Sequence, residues 1–256
     1  MTSLEHVLER SIVICATRST VFRFFTDSSR FADWWGQGSR IEWRRGGAVV
    51  IRYPNGVTAS GTVEDIVEDE RVVFTYGYDA PGNPIPPGGS RVTVTLEERP
   101  EGTLLRLRHE LADVAARDHH VQGWRYQLAL FANVAARDQH RDVAAVVDRY
   151  LGLWSEADAS VRQKELAATT VPDVVFGDAF GCTRGRDDLA AHVAAVQLHM
   201  PGVRLAREGE VRQCQGTALA SWVALGSGGE RRGRGTSVFD LAPDGRISRV
   251  VGFWGS

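Results

Sequence analysis

Hydrophobic and polar residues alternate through most of the first half of the chain, a pattern typical of β-strands with one buried face. The alternation begins in residues 4–16, around Ile12 and Ile14, and a short helix capped by Thr17 or Ser19 follows. Six more strand-like segments come next, separated by turns rich in Gly, Pro and Asn. They are SRIEWRR, AVVIRY, VTASGTVEDIVE, RVVFTYGYDA, RVTVTLEE and TLLRLRHE. This order predicts a long antiparallel sheet.

The hydrophobic period changes to that of a helix from about Val114 to Ala136. The apolar stripe of this predicted helix consists of Val121, Trp124, Leu128, Phe131 and Ala135. Gly123 interrupts it, although a glycine inside a helix costs roughly 1 kcal/mol relative to alanine. We expect a curved sheet to wrap around the helix, with Gly123 allowing the helix backbone to settle onto that sheet.

A second pattern starts after residues 137–141. Apolar residues at i, i+3, i+4, i+7, i+8 and i+11 predict an amphipathic helix from Val143 to Trp154. The pattern continues with a second helix over 155–170, a short strand VVFGDAFG, a helix through DLAAHVAAVQLHM and three or four closing strands. Asp244-Gly245 is predicted to form a hairpin turn between the last two strands. The chain is therefore predicted to be an α+β protein of two domains, residues 1–138 and 142–256.

Composition excludes several classes of function. The chain carries 30 Lys and Arg against 32 Asp and Glu, so no net charge draws it to nucleic acid or to an anionic membrane. Its apolar runs are too short to span a bilayer, and its N-terminus lacks a signal-peptide core, which favours a cytoplasmic protein. The three cysteines (Cys15, Cys182 and Cys214) form no CxxC pair, and the seven histidines are dispersed. We expect no metal and no cofactor.

Several motifs of the first half, taken in order, resemble a known family. VFRFFTD, FADWW, GTVEDIVEDERVVFTY, RVTVTLEE, TLLRLRHE and above all HHVQGWRYQLAL make residues 6–136 similar to a START-like domain of the SRPBCC clan, of the heat-shock ATPase activator-homologue type. The resemblance implies a helix-grip fold whose sheet and long helix enclose an apolar cavity. The candidate ligand-binding residues there are Trp34, Trp35, Phe74, Tyr76 and Trp124, with core packing as the alternative for each. His120 and Arg125 are candidates for polar groups at the cavity mouth, or for plain surface positions.

The second half resembles the SnoaL-like branch of the nuclear-transport-factor-two-like superfamily. The stretches that carry this resemblance are RYLGLWSEAD, VVFGDAFGCTRGRDDLAAHV and SVFDLAPDGRISRVVGFW. It implies an α+β cone with a pocket in its mouth, for which Trp222 and Trp254 are candidate wall residues. It also implies a homodimer formed through the outer face of the C-terminal sheet, because ALASWVAL and RISRVVGFW carry apolar residues on both faces.

The same resemblance extends to ketosteroid isomerases and polyketide cyclases, and it suggests catalytic residues. Asp178 falls where the isomerases carry a carboxylate base, and Tyr150 falls where they carry a tyrosine. Ser237 occupies the third position, where an acid is expected, and a serine is the weaker donor to an oxyanion. Each has a structural alternative: Tyr150 in the core, Asp178 as the cap of the turn before Phe180-Gly181, and Ser237 as an ordinary strand residue.

Three functions follow from these patterns. The first is binding of a small apolar molecule, such as a polyketide, terpenoid or lipid, in the pockets of two cavity-forming domains. The alternative is an isomerase or polyketide-cyclase-like enzyme that abstracts a proton in the C-terminal cone. A role as a chaperone-ATPase partner comes last, because kinship of fold does not transfer function.

Overall fold

The chain divides into two compact units, with the boundary between Asp138 and Gln139. The structure, a computed structural model, describes residues 3–255. Helices account for 31% of it and strands for 41%, and each unit combines one sheet with its own helices. The predicted α+β class with two domains is confirmed.

The first unit is built on a seven-stranded antiparallel sheet with the strand order β1-β7-β6-β5-β4-β3-β2. Its strands are β1 (His6–Ile14), β2 (Arg40–Ile41), β3 (Ala48–Arg52), β4 (Thr58–Val67), β5 (Arg71–Tyr76), β6 (Ser90–Arg99) and β7 (Gly102–Leu111). Its helices are α1 (Arg18–Arg23), α2 (Ser28–Trp35) and α3 (Val114–Gln139). The sequence pattern located all of these except α2.

Two short elements differ from the sequence prediction. Asp27 caps α2 by accepting the backbone N–H groups of Ser29 and Arg30, so the FADWW aromatic cluster lies on a helix. The predicted strand SRIEWRR is reduced to the two residues of β2, because a tight turn that ends at Gly47 follows it. These changes bring the aromatic side chains of α2 into the core of the unit.

Helix α3 packs its apolar stripe into this core, where Trp124, Leu128, Phe131 and Ala135 are all buried. The expectation that Gly123 brings the helix backbone close to the sheet is wrong. Gly123 is exposed, and a Cβ atom added there would meet nothing within 4 Å. Open space, rather than a neighbouring backbone, therefore lies beside it.

The second unit is built on a six-stranded sheet with the order β10-β11-β12-β13-β8-β9, in which only β13 and β8 pair in parallel. Its strands are β8 (Thr170–Gly177), β9 (Cys182–Arg184), β10 (Arg204–Cys214), β11 (Thr217–Leu225), β12 (Arg231–Leu241) and β13 (Ile247–Gly255). Its helices are α4 (Val143–Gly152), a single 3-10 turn (Leu153–Ser155), α5 (Ala159–Thr169) and α6 (Arg186–His199).

The turn between β8 and β9 positions a predicted functional residue. The strand predicted for VVFGDAFG begins earlier, at Thr170, and ends at Gly177, so Asp178 is the first residue of the turn. β9, which the sequence pattern did not predict, then folds back along β8. None of the helices over residues 3–255 has the length and apolar character needed to cross a membrane.

Candidate functional site

A cavity of about 1010 Å³ lies in the first unit, at the upper end of the volumes known for ligand pockets. The end of α2, the loop after β3, the segment after β5 and the first half of α3 surround it. Seven of its lining residues are tryptophans or tyrosines: Trp34, Trp35, Tyr53, Tyr76, Tyr78, Trp124 and Tyr126. Gly123 also lines it, which explains the open space beside that residue.

The structure places four of the five predicted binding residues of this unit in the cavity wall: Trp34, Trp35, Tyr76 and Trp124. Phe74 shares the inward face of β5 with Tyr76 but is fully buried in the core. The indole of Trp35 is the centre of the wall. Its ring centroid lies 4.3 Å from that of Trp34 and 5.6 Å from that of Trp124.

A buried histidine that sequence reasoning missed supports the wall from behind. The indole N–H of Trp124 donates to Nδ1 of His109 over 3.0 Å, so Nε2 carries the ring proton and donates to Ser90 Oγ over 2.8 Å. Ser90 in turn donates to the carbonyl of Tyr76 over 2.8 Å. Burial, with a smaller contribution from His120, lowers the pKa of His109 to about 3. The sequence does contain a signal for a buried His109, because it lies on the same face of the strand TLLRLRHE as Leu105 and Leu107.

His120 lies in the cavity wall, whereas Arg125 is exposed on α3 and is not among the lining residues. The imidazole of His120 contacts the Ala116 carbonyl through Nδ1 at 2.7 Å and the Tyr78 hydroxyl through Nε2 at 3.0 Å. Burial lowers the pKa of His120, and its bond to Ala116 opposes that shift in part. His120 is therefore a neutral, hydrogen-bonded part of the cavity.

Two further phenols meet in the cavity. The hydroxyls of Tyr53 and Tyr76 are 2.7 Å apart, and burial raises the pKa of both groups. The charged residues of the wall are Asp33 and Asp113, and no lysine or arginine lines this cavity within the described part of the chain. The cavity is thus aromatic and neutral inside, with carboxylates in exposed positions.

In the second unit, the carboxylate of Asp178 caps the turn before Phe180-Gly181, which was the structural alternative for it. Oδ1 caps the turn by accepting the backbone N–H groups of Phe180 and Gly181 over 2.8 and 2.9 Å. Oδ2 accepts the indole N–H of Trp254 over 3.1 Å. Asp178 is therefore held in one orientation and remains partly exposed.

Ser237 lies on β12, which β13 separates from β8 in the sheet. It is buried, and its hydroxyl oxygen accepts the indole N–H of Trp222 over 2.9 Å. A Cβ atom added to Gly252 would lie 3.2 Å from Cβ of Asp178 and 3.7 Å from Oγ of Ser237. Gly252 thus lies between these two residues, where even a Cβ atom would contact Asp178 closely. The rings of Trp222 and Trp254 are perpendicular, with centroids 4.8 Å apart.

Tyr150 completes this second group from α4. It is buried against Phe239, and burial together with the negative charge of Asp178 raises the pKa of its phenol. The structure therefore brings the three predicted catalytic side chains into one region. His192, which sequence reasoning did not select, packs its ring against Phe176 there. Among residues 3–255, no group of three or more His, Cys, Asp or Glu side chains is placed to hold a metal ion.

Comparisons with known families agree with this division of the chain. Residues 15–136 match the family model described as activator of Hsp90 ATPase homolog 1-like protein, and residues 147–250 match the model of a SnoaL-like domain. The chain therefore consists of an activator-homologue (AHSA1-like) domain followed by a SnoaL-like domain. No curated protein matches the chain.

Solved structures similar to this chain correspond to one half of it at a time. One is a candidate isomerase of the SnoaL-like family from Agrobacterium tumefaciens, 27% identical, which covers 46% of this chain and 99% of its own with a TM-score of 0.43. Another is an AHSA1-like protein from Rhizobium etli, 29% identical, which covers 51% of this chain and 81% of its own with a TM-score of 0.41. The two family matches, rather than these partial likenesses, define the two domains of the chain.

Proposed function

We propose that the first unit binds a small, largely apolar molecule, such as a polyketide, terpenoid or lipid, in its aromatic cavity. The observation that carries this proposal is the space of about 1010 Å³ bounded by three tryptophans and four tyrosines. Each Å² of apolar ligand surface removed from water by such walls contributes about 25 cal/mol. His109, Ser90 and the indole N–H of Trp124 already have partners within the chain, so an apolar guest leaves these buried groups satisfied.

Gly123 offers a direct test, because it lines the cavity and a Cβ atom added there meets no atom of the protein within 4 Å. We expect Gly123→Leu to weaken binding of the neutral fluorescent probe N-phenyl-1-naphthylamine at least tenfold. The same change raises the melting temperature or leaves it unchanged, since glycine in a helix costs about 1 kcal/mol. Probe titration followed by fluorescence, with thermal unfolding followed by circular dichroism, measures both effects.

Gly152→Leu is the matched control. Gly152 is also a helical glycine, with φ −60°, and a Cβ atom added there also meets nothing within 4 Å, but it lies in the second unit. Its replacement should leave probe binding within twofold of the unchanged protein. Equal binding by the Gly123→Leu protein would refute the cavity as the binding site, as would the absence of probe binding to the unchanged chain. If the probe results support the cavity, mass spectrometry of molecules retained through gentle purification would identify the natural ligand.

A second proposal, supported by a different observation, is proton abstraction next to a carbonyl group in the second unit. Asp178 and Ser237 lie on either side of Gly252, and the charge of Asp178 acts on the phenol of Tyr150. In this reaction the Asp178 carboxylate takes the proton, while the hydroxyls of Tyr150 and Ser237 donate to the enolate oxygen. Such a site would serve an isomerase or a cyclase.

Asp178→Asn tests this second proposal, because the amide keeps the size of the side chain but cannot act as a base. We expect isomerisation of cyclohex-3-enone to its conjugated isomer, followed by ultraviolet absorbance, to slow at least 100-fold. Asp173→Asn, at an exposed position of the same strand β8, is the control and should keep the full rate. An unchanged rate in the Asp178→Asn protein would exclude Asp178 as the base.

A further inference from the structure

Hydrogen bonds link the Ala116 carbonyl, the His120 imidazole and the Tyr78 hydroxyl in series. The location of each proton follows from which of these groups can donate. The Ala116 carbonyl only accepts, so Nδ1 of His120, 2.7 Å away, carries the ring proton. Burial keeps the imidazole neutral, which leaves a lone pair on Nε2. The Tyr78 hydroxyl, 3.0 Å from Nε2, must therefore donate to it. The hydroxyl proton of Tyr78 is used in this bond, so its oxygen can only accept hydrogen bonds from other groups.

This orientation matters because Tyr78 is half-buried and lines the cavity. The other phenol group of the wall, the pair Tyr53 and Tyr76, is different. Either of its hydroxyls can donate to the other, and the remaining proton can turn toward the Tyr78 oxygen or toward a ligand. That pair can serve a donor or an acceptor equally well. Of these three phenols, Tyr78 is thus the one that discriminates between the two.

The charges around the cavity point in the same direction. The charged residues of its wall are the exposed carboxylates of Asp33 and Asp113, and no lysine or arginine lines it within the described part of the chain. An anionic ligand would find no cation there and would be repelled by these carboxylates. A charge of either sign would also lose its hydration between the aromatic walls.

We propose that the cavity binds an uncharged molecule whose polar end is a hydroxyl group, and that this hydroxyl donates its hydrogen bond to the Tyr78 oxygen. The inference rests on the proposed function of the first unit and adds the chemistry of the ligand's polar end. Apolar contacts with the tryptophans hold the body of the molecule. The Tyr78 oxygen then selects a donor over a group that can only accept.

Three probes with the same naphthalene body separate these possibilities when they compete with N-phenyl-1-naphthylamine. 2-Naphthol has a donor, 2-methoxynaphthalene only an acceptor, and 2-naphthoate an anionic end. We expect 2-naphthol to bind about fivefold more tightly than 2-methoxynaphthalene, the factor typical of one net hydrogen bond. 2-Naphthoate should bind at least tenfold more weakly than 2-naphthol. Displacement titrations at neutral pH give all three affinities.

His120→Leu provides a second readout, because it removes the acceptor that commits the Tyr78 proton. The freed hydroxyl can then donate as well as accept, so binding of 2-methoxynaphthalene should tighten and the advantage of 2-naphthol should fall below twofold. A merely structural role of His120 would weaken both probes alike. Gln122→Leu, an exposed position of α3 outside the cavity wall, is the control and should keep the fivefold advantage.

The inference fails if 2-methoxynaphthalene or 2-naphthoate binds as tightly as 2-naphthol, or if the advantage of 2-naphthol survives in the His120→Leu protein. Because all the titrations use displacement of N-phenyl-1-naphthylamine, failure of this inference can be distinguished from failure of the proposed function. Probe binding without a preference for the hydroxyl overturns the inference alone. Absence of probe binding overturns the proposed function, and this inference with it.

Discussion

At the scale of single residues, the first unit contains two histidines that burial keeps neutral and whose ring nitrogens all have partners. His109 donates to Ser90 and accepts from Trp124, while His120 donates to Ala116 and accepts from Tyr78. Burial without these bonds would cost about 1–3 kcal/mol for each unpaired group. The hydrogen bonds thus let polar side chains support an otherwise aromatic interior.

The neutral state of His109 predicts how stability depends on pH. Its pKa is about 3 in the folded chain and 6.5 in the unfolded chain, so only the unfolded state gains a proton between these values. The free energy of unfolding should therefore be at its full value above pH 6.5 and fall as the pH is lowered toward 3. The slope is at most about 1.4 kcal/mol per pH unit for this group. Urea unfolding at several pH values measures it.

Two variants isolate this contribution. His109→Leu should lower the slope of stability against pH between pH 6 and 4, whatever its effect on stability itself. Ser90→Ala disturbs the same hydrogen bonds and should cost about 2 kcal/mol, yet it removes no titrating group and should keep the slope. Identical slopes in the unchanged and His109→Leu proteins would contradict the assignment.

At the scale of elements, sequence periodicity located the long segments and failed on the short ones. Helix α3 was predicted because 23 residues repeat one apolar stripe, whereas α2 has only eight residues and adjacent tryptophans at 34 and 35 that show no clear period. The apolar stripe also predicted that Trp124 faces inward. It did not show that Gly123, one residue earlier, borders empty space, because cavity shape depends on contacts from distant strands and loops.

The candidate sites show the same limit. Alternation along β5 and the spacing of α3 placed Tyr76 and Trp124 toward the interior, and the family resemblance selected Asp178 and Tyr150. Neither signal shows which groups these side chains form hydrogen bonds with. The bond from Trp254 to Asp178 joins residues 76 positions apart, so it emerges only when β13 pairs with β8.

At the scale of the whole molecule, two units with separate cores occur in one chain. The largest cluster of buried residues in each unit contains residues of that unit alone. Each unit therefore has the apolar interior that a domain needs to fold independently. Pairing of two copies through the outer face of the C-terminal sheet remains a separate prediction.

Independent folding predicts the behaviour of two fragments divided between Gln139 and His140. This cut leaves α3 whole and leaves the His140 carbonyl with Gln213, which donates to it over 3.4 Å. Residues 1–139 should unfold cooperatively and bind N-phenyl-1-naphthylamine within twofold of the full chain, while residues 140–256 should fold without binding it. A fragment that ends at residue 122 is the control, because it lacks Trp124, Leu128 and Phe131 and should remain unfolded. A folded 1–139 fragment that does not bind the probe, when the full chain does, would show that the cavity depends on the second unit.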